Sequence, residues 1–322
     1  MGFDFKIYVS GGREFFVWEC DTAFYATKRA LKKDFELSQS LLDLLYMNMD
    51  DYFDIFNRIG KDVQSLGGGG DTAREIPPSL KRDFDSLASK HVYFELLRID
   101  WFDRLDRYAK GESITFRYKD LTHIPMNIIT FQHGMKAILS KVLDVLSPDK
   151  PIQKKMANLY EDKYAGVNDR FDFKPISTDF ERVDINTFAE VLYPKTIGDI
   201  VDFFLREIVK RELTFKQCRS CGKYFPAITV HGNSEYCNRL FQDTGKTCKE
   251  IGSAKVYQAK VENSPVIQAY NRAYKTHFAR IKYKKMTKED FQAWAELARK
   301  FRDEVTAEKM TLQEYEEWLK RQ

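Results

Sequence analysis

Cys218-Arg219-Ser220-Cys221-Gly222, then Tyr236-Cys237-Asn238-Arg239, then Thr247-Cys248-Lys249-Glu250 place four thiols at the spacing Cys-x2-Cys-x15-Cys-x10-Cys. Zn2+ takes thiolates tetrahedrally at about 2.3 Å, and a two-residue gap lets one tight turn present two sulfurs with its backbone N–H groups aimed at them. Gly222 suits that turn, because the residue after the second sulfur needs a positive φ. Residues 223–230 and 234–236 read as two short strands around His231-Gly232-Asn233, a hairpin that returns Cys237 to the first pair. Cys248 stands just ahead of a helix expected over residues 249–261, whose N-terminal dipole favours a thiolate. One structural zinc on Cys218, Cys221, Cys237 and Cys248 follows. The competing readings are four unrelated buried thiols or an iron–sulfur or redox site, with His231 as an alternative ligand. Four protein ligands close the coordination sphere, which disfavours a catalytic metal.

Outward from this stretch, composition sets the frame. The chain has 322 residues, 43% of them hydrophobic, enough for two packed domains. Its five cysteines are no disulfide framework, since four crowd one short window and Cys20 stands alone. The N-terminus lacks the pattern of a signal peptide, and no apolar run approaches the ~20 residues of a membrane span. A cytoplasmic protein with no membrane partner and no evident small-molecule cofactor is expected.

Charge is uneven. Residues 214–286 hold 14 Lys or Arg against 4 Asp or Glu, whereas residues 1–213 carry a net −4 and residues 287–322 a net −2. A basic excess beside the cysteines is the footprint of a polyanion-binding face, although four thiolates on Zn2+ leave a formal −2 that Arg219, Lys223, Arg239, Lys246 and Lys249 would partly offset.

The N-terminal part reads as a β-hairpin, residues 3–9 and 13–19 joined through Ser10-Gly11-Gly12, followed by helices. One stripe runs from Leu37 through Leu41, Leu44, Leu45, Met49, Phe53 and Phe56 to a stop near Gly60. Gly67-Gly68-Gly69-Gly70 is a surface loop and lacks the ending of a phosphate loop. A helix after Pro77-Pro78 carries Phe84, Leu87, His91, Phe94, Leu97 and Trp101, and a short strand is expected over residues 114–118. Further helices are expected over 128–146, 151–164 and 196–212, with an extended stretch over 170–184. Beyond the cysteines, Ser264-Pro265, Thr287 with Asp290, and Thr311 with Glu314 each start a helix. The fold class is α+β, mostly α: residues 1–213 form a helical domain with a β-hairpin, suited to sensing or interaction, and residues 214–322 a treble-clef-like finger followed by a small helical bundle.

Phe215-Lys-Gln-Cys-Arg-Ser-Cys-Gly-Lys-Tyr-Phe-Pro226, Tyr236-Cys-Asn-Arg239 and Thr247-Cys-Lys-Glu-Ile-Gly252, with Tyr270 to Tyr274, Arg280 and Phe291 to Trp294, resemble a bacterial family of about this length catalogued as a domain of unknown function. More distantly, the pattern is similar to the CGNR-type zinc fingers of bacterial transcription regulators, although here Asn238-Arg239 follow the third cysteine rather than the last. That resemblance implies a variable helical domain ahead of a zinc finger that binds DNA.

Three functions are open. The first is nucleic-acid binding, DNA ahead of RNA, through Arg219, Lys223, Arg239, Lys246, Lys249, Arg272, Lys275, Arg280, Lys282, Lys284 and Lys285. The second is a protein-interaction module in which zinc is purely structural. The third is a nuclease or defence effector, for which His231 and Asn233 are suggestively placed but the following helix supplies no His. No enzyme active site declares itself, and His91, His123, His133 and His277 read as packed or surface residues.

Overall fold

The computed structural model describes residues 3–20, 31–66, 74–145, 151–164, 166, 169–227 and 234–321. The chain forms two compact units, residues 1–217 with 223–234, and residues 218–222 with 235–322. The fold is α+β and mainly helical.

The first unit is built on a five-stranded antiparallel sheet ordered β3-β2-β1-β5-β4, from β1 (Phe3–Ser10), β2 (Arg13–Cys20), β3 (Leu31–Glu36), β4 (Asp179–Asp184) and β5 (Thr187–Leu192). The β1–β2 hairpin turns on Gly11 and Gly12, both at positive φ, the geometry that matches the twist of paired strands. Alternation along these strands puts Phe5, Ile7, Val9, Phe16 and Trp18 into the main core and sets Tyr8 with Val191 and Ala189 on the opposite face.

Helices α1 (Gln39–Leu45), α2 (Phe53–Leu66), α3 (Pro78–Lys90), α4 (Tyr93–Ala109), α5 (Lys119–Thr122), α6 (Ile124–Lys141), α7 (Ile152–Glu161) and α8 (Ile197–Lys210) complete that core. The stripe expected as one helix ending near Gly60 is broken. A 3-10 turn over Met49–Tyr52, capped by the Asn48 side chain, separates α1 from α2, and α2 continues through Gly60. The helix expected from Pro77 is likewise two, because His91 takes an extended conformation between α3 and α4. Residues 114–118 form no strand, and α6 stops at Lys141, short of the expected end. The glycine run at 67–70 lies outside the described residues. A reciprocal Thr196–Asp199 capping box opens α8.

Two further strands pair with each other in the first unit, β6 (Phe215–Gln217) and β7 (Tyr224–Pro226), with Phe215 and Tyr224 buried in its core. Phe215 also exchanges backbone bonds with the chain after α6, accepting from Val145 N–H at 3.2 Å and donating to the Leu143 carbonyl at 2.9 Å.

The second unit contains α9 (Cys248–Glu262), α10 (Pro265–Lys282), α11 (Lys288–Thr306) and α12 (Leu312–Arg321). Ala269, Phe291, Trp294, Ala295, Ala298, Tyr315 and Leu319 form its core. Ala298 lets the chains approach closely enough for the Tyr315 hydroxyl to donate to its carbonyl at 2.8 Å. Among the described residues no helix is long and apolar enough to cross a membrane.

Candidate metal centre

Cys218, Cys221, Cys237 and Cys248 come together in the second unit, their sulfurs all within 4.8 Å of one another. Three are buried and Cys221 is half-buried. All four are free thiols, and the Sγ atoms of Cys221 and Cys237 stand 3.7 Å apart, far beyond the ~2.05 Å of a disulfide. A tetrahedron with metal–sulfur bonds of about 2.3 Å has edges of about 3.8 Å. The 3.7 Å separation fits such an edge, so the four cysteines could hold a metal ion.

Local sequence explains the convergence. Gly222 at φ +69° closes the first turn and donates its N–H to the Cys218 carbonyl at 2.8 Å. An L-residue is disfavoured at that φ, in line with the glycine expected after the second sulfur. Arg219 N–H donates to the Glu235 carbonyl at 3.0 Å, which brings the segment leading to Cys237 alongside, and Cys237 N–H donates to Cys218 Sγ at 3.4 Å. Burial opposes ionisation of the Cys218 thiol, but the backbone N–H groups of Cys237, Cys221 and Ser220 outweigh it and bring the group down to about 7. Burial and the adjoining Cys221 and Cys237 thiols push Cys248 well above the ordinary range. A cation reverses that preference by favouring thiolate at every position.

The third and fourth ligands are tied by a tight loop. Cys248 N–H donates to the Arg239 carbonyl at 2.8 Å, Lys249 N–H to the Cys237 carbonyl at 3.0 Å and Phe241 N–H to the Lys246 carbonyl at 2.9 Å, with Gly245 at positive φ. Thr247 and Glu250 then cap α9 reciprocally. Glu250 Oε2 accepts from Thr247 N–H at 2.7 Å, and Thr247 Oγ1 accepts from Glu250 N–H at 3.2 Å. These bonds from Thr247 hold the Glu250 carboxyl below its ordinary value. Cys248 is the first residue of α9, at the positive end of the helix dipole. The Thr-x-x-Glu signature in the sequence marks this helix start.

The expected hairpin over residues 223–236 is corrected. β7 pairs backward with β6, so the Cys-x2-Cys turn is the connection of that ladder, and residues 234–236 form no strand. Residues 215–217 supply the neighbouring backbone that was expected from 234–236. Residues 228–233, the end of the first expected strand and the turn with His231 and Asn233, lie outside the described residues.

The basic residues separate into groups. Arg219 is ion-paired with Glu235 at 2.8 Å and Arg272 with Glu316 at 3.3 Å. Arg280 donates to Nε2 of buried His277, whose Nδ1 faces the Ala273 carbonyl at 2.9 Å and whose ring stacks on Trp294. Lys223 belongs to the first unit, its ammonium 5.1 Å above the Tyr46 ring, and Arg239 is half-buried. Lys246, Lys249, Lys275, Lys282, Lys284 and Lys285 are exposed. Lys246 faces Glu250, whereas the other five enter no ion pair among the described residues.

Searches among curated proteins and solved structures returned no match, and neither comparison brings in the CGNR-type fingers. What the chain is similar to is a family of unknown function (DUF6076), whose model matches residues 179–322, from β4 through all four cysteines to the end of α12.

Proposed function

We propose that the four cysteines hold one structural zinc ion in a treble-clef-like finger, and that the second unit uses this platform to bind nucleic acid. The donor set supports zinc: four cysteine sulfurs within 4.8 Å of one another would, as thiolates, select a soft or borderline cation, and four protein ligands would leave no open coordination position for chemistry. The observation that carries the nucleic-acid reading is the set of exposed lysines, Lys249, Lys275, Lys282, Lys284 and Lys285, without ion-pair partners among the described residues. Unneutralised cations on one compact unit gain from phosphate contact, because each contact releases a condensed counterion. DNA stands ahead of RNA on the likeness to the CGNR-type regulators.

A second reading, a protein-interaction module with the same zinc, is favoured by Arg219 and Arg272, whose ion pairs already occupy two of the expected contact residues. Titrating zinc-loaded full-length protein into labelled DNA and RNA at ~50 mM and ~200 mM salt separates the two. Phosphate binding gives an affinity that falls steeply and linearly in log[salt]. No binding to any nucleic acid at the lower salt would rule the first reading out.

A further inference from the structure

We infer that the groove between α10 and α11 is a stacking site for the bases of a single-stranded nucleic acid, an inference that rests on the nucleic-acid function proposed for the second unit and assigns its ligand class. The groove has a volume of about 610 Å³ and opens between the aromatic stripe of α10 and the first three turns of α11. Tyr274 and Phe278, one helical turn apart, hold their rings within 5° of parallel at a centroid distance of 6.4 Å. Phe291 of α11 fixes both by edge contacts, at 5.1 Å to Tyr274 and 5.7 Å to Phe278, and is itself buried. Phe278 nevertheless leaves 58% of its surface in water and Tyr274 36%. Two large rings oriented by a buried wedge, with their outer surfaces uncovered, form a rigid aromatic platform.

Charge selects the occupant. Lys288 and Arg299 line the groove, and among the described residues no carboxylate does. Lys275 and Lys282 are exposed on the same helix, the first adjoining Tyr274 and the second one turn beyond Phe278. An apolar peptide would leave those cations unused. A nucleic acid uses both features, phosphates on the cations and base faces on the rings, while the Gln292 amide in the wall can meet a base edge. The strand must be single, because in a duplex both faces of each base are already stacked.

The test is fluorescence anisotropy on metal-loaded full-length protein with a mixed-sequence 12-nucleotide DNA, the same sequence as RNA, and the corresponding duplex. Phe278→Ala should weaken binding of the single strands about tenfold or more and leave duplex affinity unchanged, whereas Phe278→Trp, which keeps a stacking face, should retain single-strand affinity. The DNA and RNA arms identify the preferred backbone. Single-strand affinity unchanged by Phe278→Ala, in protein that still binds nucleic acid with a steep salt dependence, overturns the groove assignment and spares the cationic reading. Absence of all nucleic-acid binding overturns both. A dimer that Phe278→Ala dissolves, with single-strand affinity unaltered, assigns the groove to self-association instead.

Discussion

The ring of Tyr236 lies directly over Gly252: a Cβ at position 252 would stand 2.4 Å from both Cδ1 and Cε1 of that ring. Tyr236 precedes the third cysteine and Gly252 sits one turn into the helix that the fourth cysteine begins. The contact therefore clamps the segment leading to Cys237 against the helix that Cys248 begins, and it works only because residue 252 has no side chain.

Gly252→Ala should accordingly destabilise the finger by overpacking, on the order of 1–3 kcal/mol. Gly222→Ala should cost about 1–2 kcal/mol for a different reason, since nothing lies within 4 Å of its Cβ and only the φ of +69° is strained. A double-mutant cycle with Tyr236→Ala distinguishes the two: it should relieve most of the Gly252→Ala cost and none of the Gly222→Ala cost, read from denaturant midpoints. Additivity at position 252 would remove the clamp.

The first unit carries a pH-dependent pair. Glu14 is buried and accepts from Ser38 N–H at 2.7 Å and Ser40 N–H at 3.2 Å; burial pushes its carboxyl up to about 7, with those bonds opposing and Asp43 adding to the rise. The folded state then holds the proton that the unfolded chain loses near 4.5, so this contribution is full below that pH and is lost as pH rises towards 7, by roughly 3 kcal/mol. His91, whose Nε2 lies 3.0 Å from the Ser40 carbonyl, is driven by burial down to about 4, so its contribution is present above 6.5 and is lost as pH falls towards 4. The two slopes oppose each other. Glu14→Gln should remove only the first, so the stability of the variant relative to wild type should climb between pH 4.5 and 7 in urea titrations; a difference independent of pH would contradict this.

Lys282→Ala and Lys285→Ala concern the proposed nucleic-acid surface alone. Both side chains are exposed, so each substitution should leave stability within ~0.5 kcal/mol. Removing one lysine–phosphate interaction should reduce the slope of log affinity against log[salt] by about one. An unchanged slope in both variants would place the phosphate-binding side chains elsewhere.

Which features could be read from the sequence follows from how local their causes are. The β1–β2 hairpin was legible because Gly11-Gly12 and strict alternation act within a few residues. β4 was legible only as part of the extended stretch over 170–184, and β3 was not legible, because an edge strand carries charges such as Lys32, Lys33 and Asp34 that blunt further pairing and mask the strand pattern. The breaks at Asn48 and His91 were hidden because the apolar stripes continue across them to serve one core. Residues 114–118 alternate like a strand but pair with no strand among the described residues. At the candidate metal centre, residue type and spacing were enough to pick out the four cysteines that cluster. The backward pairing of β7 with β6 depends on burial of Phe215 and Tyr224 in the first unit, and the Tyr236–Gly252 contact depends on tertiary packing, neither of which spacing reveals.

The central claim is that four sulfurs share one zinc ion, and metal analysis of purified full-length protein by mass spectrometry, beside Cys248→Ser prepared identically, tests it most directly. Tetrathiolate ligation predicts about one zinc per chain in the native protein and near none in the variant, with a lower melting temperature, because a structural zinc contributes folding free energy. Native protein carrying no metal, or iron with sulfide in place of zinc, would contradict it.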